Sequence, residues 1–225
     1  MYRVKKTEHN WLYKKIINKF VFHRLSSING LVLDFGCGLC PFKSDILGVA
    51  EGYVGIDWSD TLHSLRADII ADLNKKIPIK SACADHIVSF EVLEHLSEPM
   101  HMLNEAFRIL KNGGEITISV PFQHWVHEAP WDYYRFTRYG LYYLLQKAGY
   151  VDVHIQHMSG FWSMWLMKLN YQTKRLVRGP NFFKLMMRII LVPFWWLNQN
   201  VGPILDRFWF EDRETIGYFV TARKP

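Results

Sequence analysis

Cysteine is scarce, at three in 225 residues. Three cannot build a disulfide scaffold, and so few fit a reducing compartment. Cys37 and Cys40 form a C-x-x-C, which leaves a redox pair open, but with Cys83 alone no four-cysteine metal site is available. Long apolar runs are also missing. The longest uncharged stretch, Ile189 to Leu205, has 17 residues and contains Pro193, Asn198, Gln199, Asn200, Gly202 and Pro203. That is short and polar beside the ~20 apolar residues of a bilayer span. The first 29 residues carry bases throughout and no uninterrupted apolar core, so no cleavable signal peptide is read there. Internal repeats are absent. With 49 % hydrophobic and 21 % charged residues, the composition excludes a disordered chain or a fibre. At ~150 residues per domain, the length suits one domain with an elaboration.

Acids are missing where bases gather. Residues 160–205 hold six Lys and Arg and no acid, and residues 1–29 hold seven, including Arg3, against Glu8. Residues 30–159 reverse the balance with ten bases and sixteen acids. Two basic, apolar pieces flanking an acidic middle suggest a polyanionic partner, either nucleic acid or an anionic membrane surface. Four pieces follow: a basic amphipathic helix within 1–29, a core over 30–159, a helical and aromatic insert over 160–205, and a closing strand within 206–225.

Periodicity supplies the elements. Leu12, Tyr13, Ile16, Ile17, Phe20 and Val21 share one half of a helical wheel across residues 11–25, with Lys14, Lys15 and Lys19 opposite. Strands are read at LVLDF (31–35), YVGID (53–57), ADIIAD (67–72), HIVSFEV (86–92), EITISV (115–120), YVDVHIQ (150–156) and TIGYFVTA (215–222). Pro41 can open a helix. Helices are also read from Pro99 to Leu110, stopped by Asn112-Gly113-Gly114, and from Thr137 to Ala148, stopped by Gly149. Alternating strands and helices give an α/β fold with a doubly wound, mostly parallel sheet.

Three carboxylates end successive strands. Asp34 precedes Gly36-Cys37-Gly38, Asp57 ends the second strand and Asp72 the third. The glycines let a ligand approach the main chain, and a carboxylate at Asp57 can accept both hydroxyls of a ribose. A nicotinamide enzyme needs G-x-G-x-x-G, and Pro41 stands at its third position.

Asp34-Phe35-Gly36-Cys37-Gly38, Asp57, Asp72 and Phe90-Glu91-Val92-Leu93-Glu94-His95, with ILKNGGEITISVP (109–121), resemble the class I S-adenosylmethionine-dependent methyltransferases. The resemblance covers about residues 29–157 and the last strand. It implies a Rossmann-like sheet of seven strands with the last antiparallel, and S-adenosyl-L-methionine across the strand ends. Gly36, Cys37 and Gly38 would line the methionine, with Asp34 orienting that loop. Asp57 would hold the ribose, Trp58 the adenine face, and Asp72 and Leu73 the adenine edge. Phe90 and Glu91 would border the cofactor.

Residues 121–137, PFQHWVHEAPWDYYRFT, crowd titratable groups into the loop after the fifth strand, where an open sheet binds its ligand. Methyl transfer to a hydroxyl needs a base, and histidine suits that task near pH 7. His127 is the first choice and His95 the second, with Glu128 and Asp132 beside them and His124, Tyr133 and Arg135 toward the acceptor. Trp131 replaces the second histidine of H-E-x-x-H, so a zincin is excluded. A metal held by His124, His127, Glu128 and Asp132 is unforced, and none is assigned. The loop also resembles, more softly, bacterial methyltransferases of surface-polysaccharide and lipid pathways. His9, His23, His63, His101, His154 and His157 do not cluster and receive no role.

In the insert, Phe182 to Leu191 offers no polar face beyond Lys184 and Arg188, so it is expected to be buried as a pocket cap or to meet lipid. Trp162, Trp165, Trp195 and Trp196 would then sit at headgroup depth. The reading is a cytoplasmic methyltransferase, peripheral on the inner membrane face, acting at a hydroxyl of a small or lipid-linked acceptor. The alternatives are a nucleic-acid methyltransferase using the basic termini and a scaffold without catalysis. The greasy character of the basic pieces weighs against a phosphate track.

Overall fold

A computed structural model describes residues 1–2, 4–60 and 66–225. Arg3 and His63 lie outside the described residues. The chain divides into two compact units, one of Met1, 21–156 and 218–225, the other of 2–20 and 157–217.

The first unit is an open α/β sheet. β1 (Leu31–Phe35) pairs in parallel with β2 (Gly52–Asp57) and with β4 (Ala84–Phe90). β2 continues to the two-residue β3 (Ile69–Ile70), and β4 to β5 (Leu110–Pro121), again in parallel. With β6 (Val151–His157) and β7 (Gly217–Arg223) the order is β3-β2-β1-β4-β5-β7-β6. β7 runs against β5: just past its end Lys224 exchanges backbone hydrogen bonds with Gly113 and Gly114, while Tyr218 at its start meets Phe122 at the far end of β5. β1 and β4 are buried on both faces, which is why they are mostly apolar, with Asp34 in β1 and Asp85, His86 and Ser89 in β4 as the polar exceptions. α3 (Pro99–Ile109), with proline in its first turn, turns Met102, Leu103, Ala106 and Ile109 onto the sheet at helical spacing. α4 (Arg138–Lys147) is capped by the Thr137 hydroxyl, which accepts from Gly140 N–H. The strand order reverses between β1 and β4, which opens a crevice at their carboxyl ends.

Local outcomes differ from expectation in four places. The third strand contracts to two residues. β5 starts at Leu110, so Gly113-Gly114 lies within the strand; Gly113 at φ +79° makes a kink and the register with β4 shifts there. Pro41 does not open a helix. Turns from Cys40 to Cys37 and from Lys43 to Cys40 occupy it, and α2 is Lys43–Leu47. Residues 181–208 form one helix, α6 (Asn181–Phe208), which carries Pro193 and Pro203 inside it.

The second unit is helical. α1 (Trp11–Leu25) contributes its first ten residues, with α5 (Phe161–Lys174) and α6. Gln199 receives Leu12 N–H on its side-chain oxygen and donates to the Glu8 carbonyl. Asp206 accepts the N–H groups of Gly160, Trp162 and Ser163, and so caps α5 from a distance in sequence. Gly202 lets α6 approach the Ser163 backbone, where a Cβ would lie 3.0 Å from Ser163 Cα. No described helix is long and apolar enough to cross a membrane.

Candidate active site

Four segments of the first unit meet at the crevice. The loop after β1 turns on Gly36 at φ +73° and Gly38 at φ +51°. A Cβ at Gly36 would strike Val92, whereas one at Gly38 would meet nothing within 4 Å, so the loop leaves open space on that side. Gly36 and Cys37 donate their N–H groups to the Ile56 carbonyl. The loop-orienting position expected for Asp34 falls to Asp57 instead. Its Oδ2 accepts Gly38 N–H at 2.7 Å and its Oδ1 accepts Trp58 N–H at 2.8 Å. Each oxygen keeps a lone pair, so the fit to a ribose diol survives. Asp34 is buried and accepts the Tyr53 hydroxyl at 2.5 Å. Burial pushes its carboxyl up to about 7, with Asp57 adding to the rise and Tyr53 opposing it. Cys37 is buried and its thiol is pushed up by burial, so it is a lining group.

Around this loop, Asp72 caps its own turn by accepting from Asn74 N–H and pairing with Lys75, and Leu73 is buried behind it. Phe90 packs edge-on against Phe42. Glu91 sits at φ +58° and accepts the Ser119 hydroxyl at 2.6 Å. These positions, with open space beside Gly38 and a two-oxygen acceptor at Asp57, suit a nucleoside carrying a charged methionine tail.

The acceptor loop is organised by an ion pair. Arg135 grips Asp132 with both guanidinium nitrogens, at 2.6 and 2.7 Å, and donates to the Trp125, His124 and Tyr134 carbonyls. Asp132 also accepts His127 N–H at 2.8 Å. Both residues therefore position the loop, although sequence reading put Asp132 among the catalytic groups and Arg135 at the acceptor. Tyr133 is exposed, and His124 stacks on Trp125.

His127 and His95 come from different loops and meet edge to face, with ring centroids 4.7 Å apart. His95 Nδ1 lies 2.9 Å from the Trp131 carbonyl, and His127 Nδ1 lies 3.3 Å from the Trp125 carbonyl. A carbonyl only accepts, so these contacts favour a proton on Nδ1 and a lone pair on Nε2; at His127 the Arg135 Nη2 donor, 3.5 Å from the same Nδ1, competes with that arrangement. Burial, His95 and Arg135 lower the His127 pKa, which keeps it neutral near pH 7. Glu128, at φ +51°, places Oε2 4.0 Å from His95 Nε2.

Sequence reading passed over Glu94 as a site residue. It is fully buried, and both carboxyl oxygens lack a hydrogen-bond partner. Burial and the neighbouring Glu91 raise its pKa well above the carboxylate range. Only the fold reveals it, because in sequence it is one of three acids in FEVLEHLSE (90–98), with nothing to mark it as the buried, unpaired one. Trp131 also went unassigned. It meets Trp58 edge to face at 5.1 Å while its carbonyl fixes His95.

An open sheet of this order, with a glycine loop and strand-end acid at its crossover, defines a nucleotide-type cofactor fold of the methyltransferase kind. A family model described as a methyltransferase domain matches residues 33–118. A protein of Mycolicibacterium smegmatis, named a probable S-adenosylmethionine-dependent methyltransferase, is 30 % identical over 122 residues, 51 % of this chain and 47 % of that one. A Mycobacterium tuberculosis protein with the same kind of name is 27 % identical over 97 residues, 40 % of this chain and 35 % of its own length. The chain thus spans about half or less of these relatives. Among solved structures, a SAM-dependent methyltransferase from Archaeoglobus fulgidus superposes with a TM-score of 0.59, at 16 % identity, covering 95 % of this chain and 94 % of that one. A phosphoethanolamine N-methyltransferase of Haemonchus contortus reaches the same TM-score at 16 % identity, covering 96 % and 56 %. Residues 33–118 thus match a methyltransferase domain, and over that stretch the chain is similar to S-adenosylmethionine-dependent methyltransferases.

Proposed function

We propose that the protein methylates a hydroxyl oxygen of a glycan or lipid acceptor at the crevice. The observation that carries this reading is the pair of imidazoles meeting at the crevice, each with Nδ1 against a backbone carbonyl, an arrangement that favours a lone pair on Nε2 for a proton. S-adenosyl-L-methionine supplies an electrophilic methyl on sulfur. Asp57 and the Gly36–Gly38 loop bind it, Trp58, Asp72 and Leu73 flank the adenine, and Phe90 and Glu91 border it. The acceptor oxygen forms the new C–O bond as the S–CH3 bond breaks, and its proton passes to His127 Nε2. His95 stands second as proton acceptor, with Glu128 beside it. His124 and Tyr133 line the acceptor side. Losing a general base typically costs 10²–10⁴-fold in rate. With radiolabelled methyl donor and hydroxyl-bearing glycolipid acceptors, His127→Ala should lose that much kcat while donor affinity by calorimetry holds. Wild-type turnover in both His127→Ala and His95→Ala would overturn the base assignment.

We also propose that the second unit rests on an anionic membrane surface on the cytoplasmic side. Two observations support it. The unit carries fourteen Lys and Arg against five acids, a net +9. In α6, residues 181–190 are exposed apart from Met187, with Phe182 80 % and Ile189 67 % accessible beside Lys184 and Arg188. A nearly all-apolar helical stretch that is not buried suits an interfacial element more than a pocket cap. Two expected headgroup residues drop out. Trp195 is 4 % exposed and donates to Thr173, and Trp162 is half-buried against Trp209. Trp165 and Trp196 remain exposed.

A further inference from the structure

We propose that Glu94, His95 and His127 form a binding site for a divalent transition-metal cation of the zinc class. Each offers one ligand atom, and the three atoms lie within 4.8 Å of one another. Among the described residues no other group of three His, Cys, Asp or Glu does so. Three features separate this cluster from a chance meeting of polar groups.

The first is the carboxylate. Glu94 is fully buried, yet neither oxygen has a hydrogen-bond partner. An unpaired buried polar group costs free energy, and folds rarely leave one without a use. Its Oε1 lies 3.5 Å from His95 Nε2. The edge of a tetrahedron with ~2.1 Å metal–ligand bonds is about 3.4 Å, so this pair already stands at coordination spacing.

The second feature is the outer shell. A metal-bound histidine usually gives its other ring N–H to a carbonyl or carboxylate, which fixes the tautomer and aims the lone pair. Both histidines meet that condition. His95 Nδ1 faces the Trp131 carbonyl, and His127 Nδ1 faces the Trp125 carbonyl with Asp132 Oδ2 at 3.4 Å. Asp132 is in turn held by Arg135.

The third is openness. Two imidazoles and one carboxylate leave a fourth tetrahedral position, and Glu128 Oε2, 4.0 Å from His95 Nε2 on an exposed loop, borders it. Imidazole and carboxylate together favour zinc-class cations over calcium or magnesium.

The consequence rests on the base assignment made above. A bound cation takes the same Nε2 lone pairs that the acceptor's proton needs. It should therefore block methyl transfer while leaving donor binding at Asp57 and the glycine loop intact.

The test uses the whole chain, stripped with a chelator, and zinc ion alone as probe. Competition with a chromophoric chelator should show one tight equivalent per chain. Glu94→Gln and His95→Gln should each weaken it at least tenfold while keeping donor affinity, which reports an intact fold. Cobalt ion bound to wild type should give the intense visible bands of a four-coordinate site, a readout independent of any variant. Added zinc should suppress turnover, and chelator should restore it. Absent binding, or equal affinity in the Glu94→Gln/His95→Gln double variant, overturns the site and leaves the methyltransferase reading standing. Stoichiometric binding with undiminished turnover overturns the claim that cation and proton share the same lone pairs.

Discussion

Single carboxylates divide the labour at the crevice. Asp57 joins the glycine loop to the start of the next segment through two N–H groups, and its remaining lone pairs are those proposed to hold the cofactor. Asp57→Ala should weaken S-adenosylmethionine binding by ~1.5–3 kcal/mol, the range for hydrogen bonds to a charged group, and calorimetry would read it. Unchanged affinity would remove Asp57 from the site. Asp34 behaves otherwise. Its pKa in the fold is about 7, raised from 3.8 chiefly by burial. A group raised on folding contributes stability below its unfolded pKa and loses that contribution as pH climbs through the folded value. Urea unfolding should therefore find wild type gaining on Asp34→Asn at pH 4 and losing that advantage by pH 7. A difference that stays constant, or grows with pH, would contradict the assignment. Asp34 and Asp57 were both legible as strand-end acids. Their different tasks were not, because those depend on which backbone amides the loop turns toward them.

At the scale of elements, the loop of residues 121–137 and helix α6 contrast. The loop's density of titratable groups marked it in sequence, yet Arg135 and Asp132 hold the loop's shape, and the proposed chemistry falls to the imidazoles. One of those, His95, arrives from the turn after β4, as does Glu94. Spacing along one loop could not reveal a cluster assembled from two strand ends. In helix α6 the sequence reading reached only Phe182 to Leu191, whereas the helix runs on to Phe208 through Pro193 and Pro203. Its later part, with Leu191, Trp195, Asn198, Gln199 and Gly202 buried, carries both prolines, as tertiary packing outweighs a local breaker. Its exposed first turns give a direct test. Wild type should float with vesicles containing anionic lipid, and the Phe182→Ser/Ile189→Ser variant should not. Added salt should weaken binding, since each base near the surface contributes about 1 kcal/mol that screening removes. Absence of wild-type flotation even at low salt would sink the membrane reading.

For the whole molecule, the alternation of strands and helices placed all seven strands near their positions, while the antiparallel return of β7 followed from the family resemblance. What could not be read was the grouping of residues 2–20 with 157–217 in one compact unit, because it depends on contacts such as Leu12 with Gln199, 187 positions apart. Hydrophobic periodicity reports the face an element buries and is silent about its partner.

The edge-to-face contact of Trp58 with Trp131 has a consequence for binding. Trp58 flanks the proposed adenine position, and the Trp131 carbonyl holds His95 in its tautomer. One joint therefore serves both substrates. Donor binding that steadies Trp58 also steadies the imidazole awaiting the acceptor, and thermodynamic reciprocity requires the acceptor to tighten the donor by the same factor. Under the proposed assignments, donor and acceptor should each bind more tightly in the other's presence, whichever enters first.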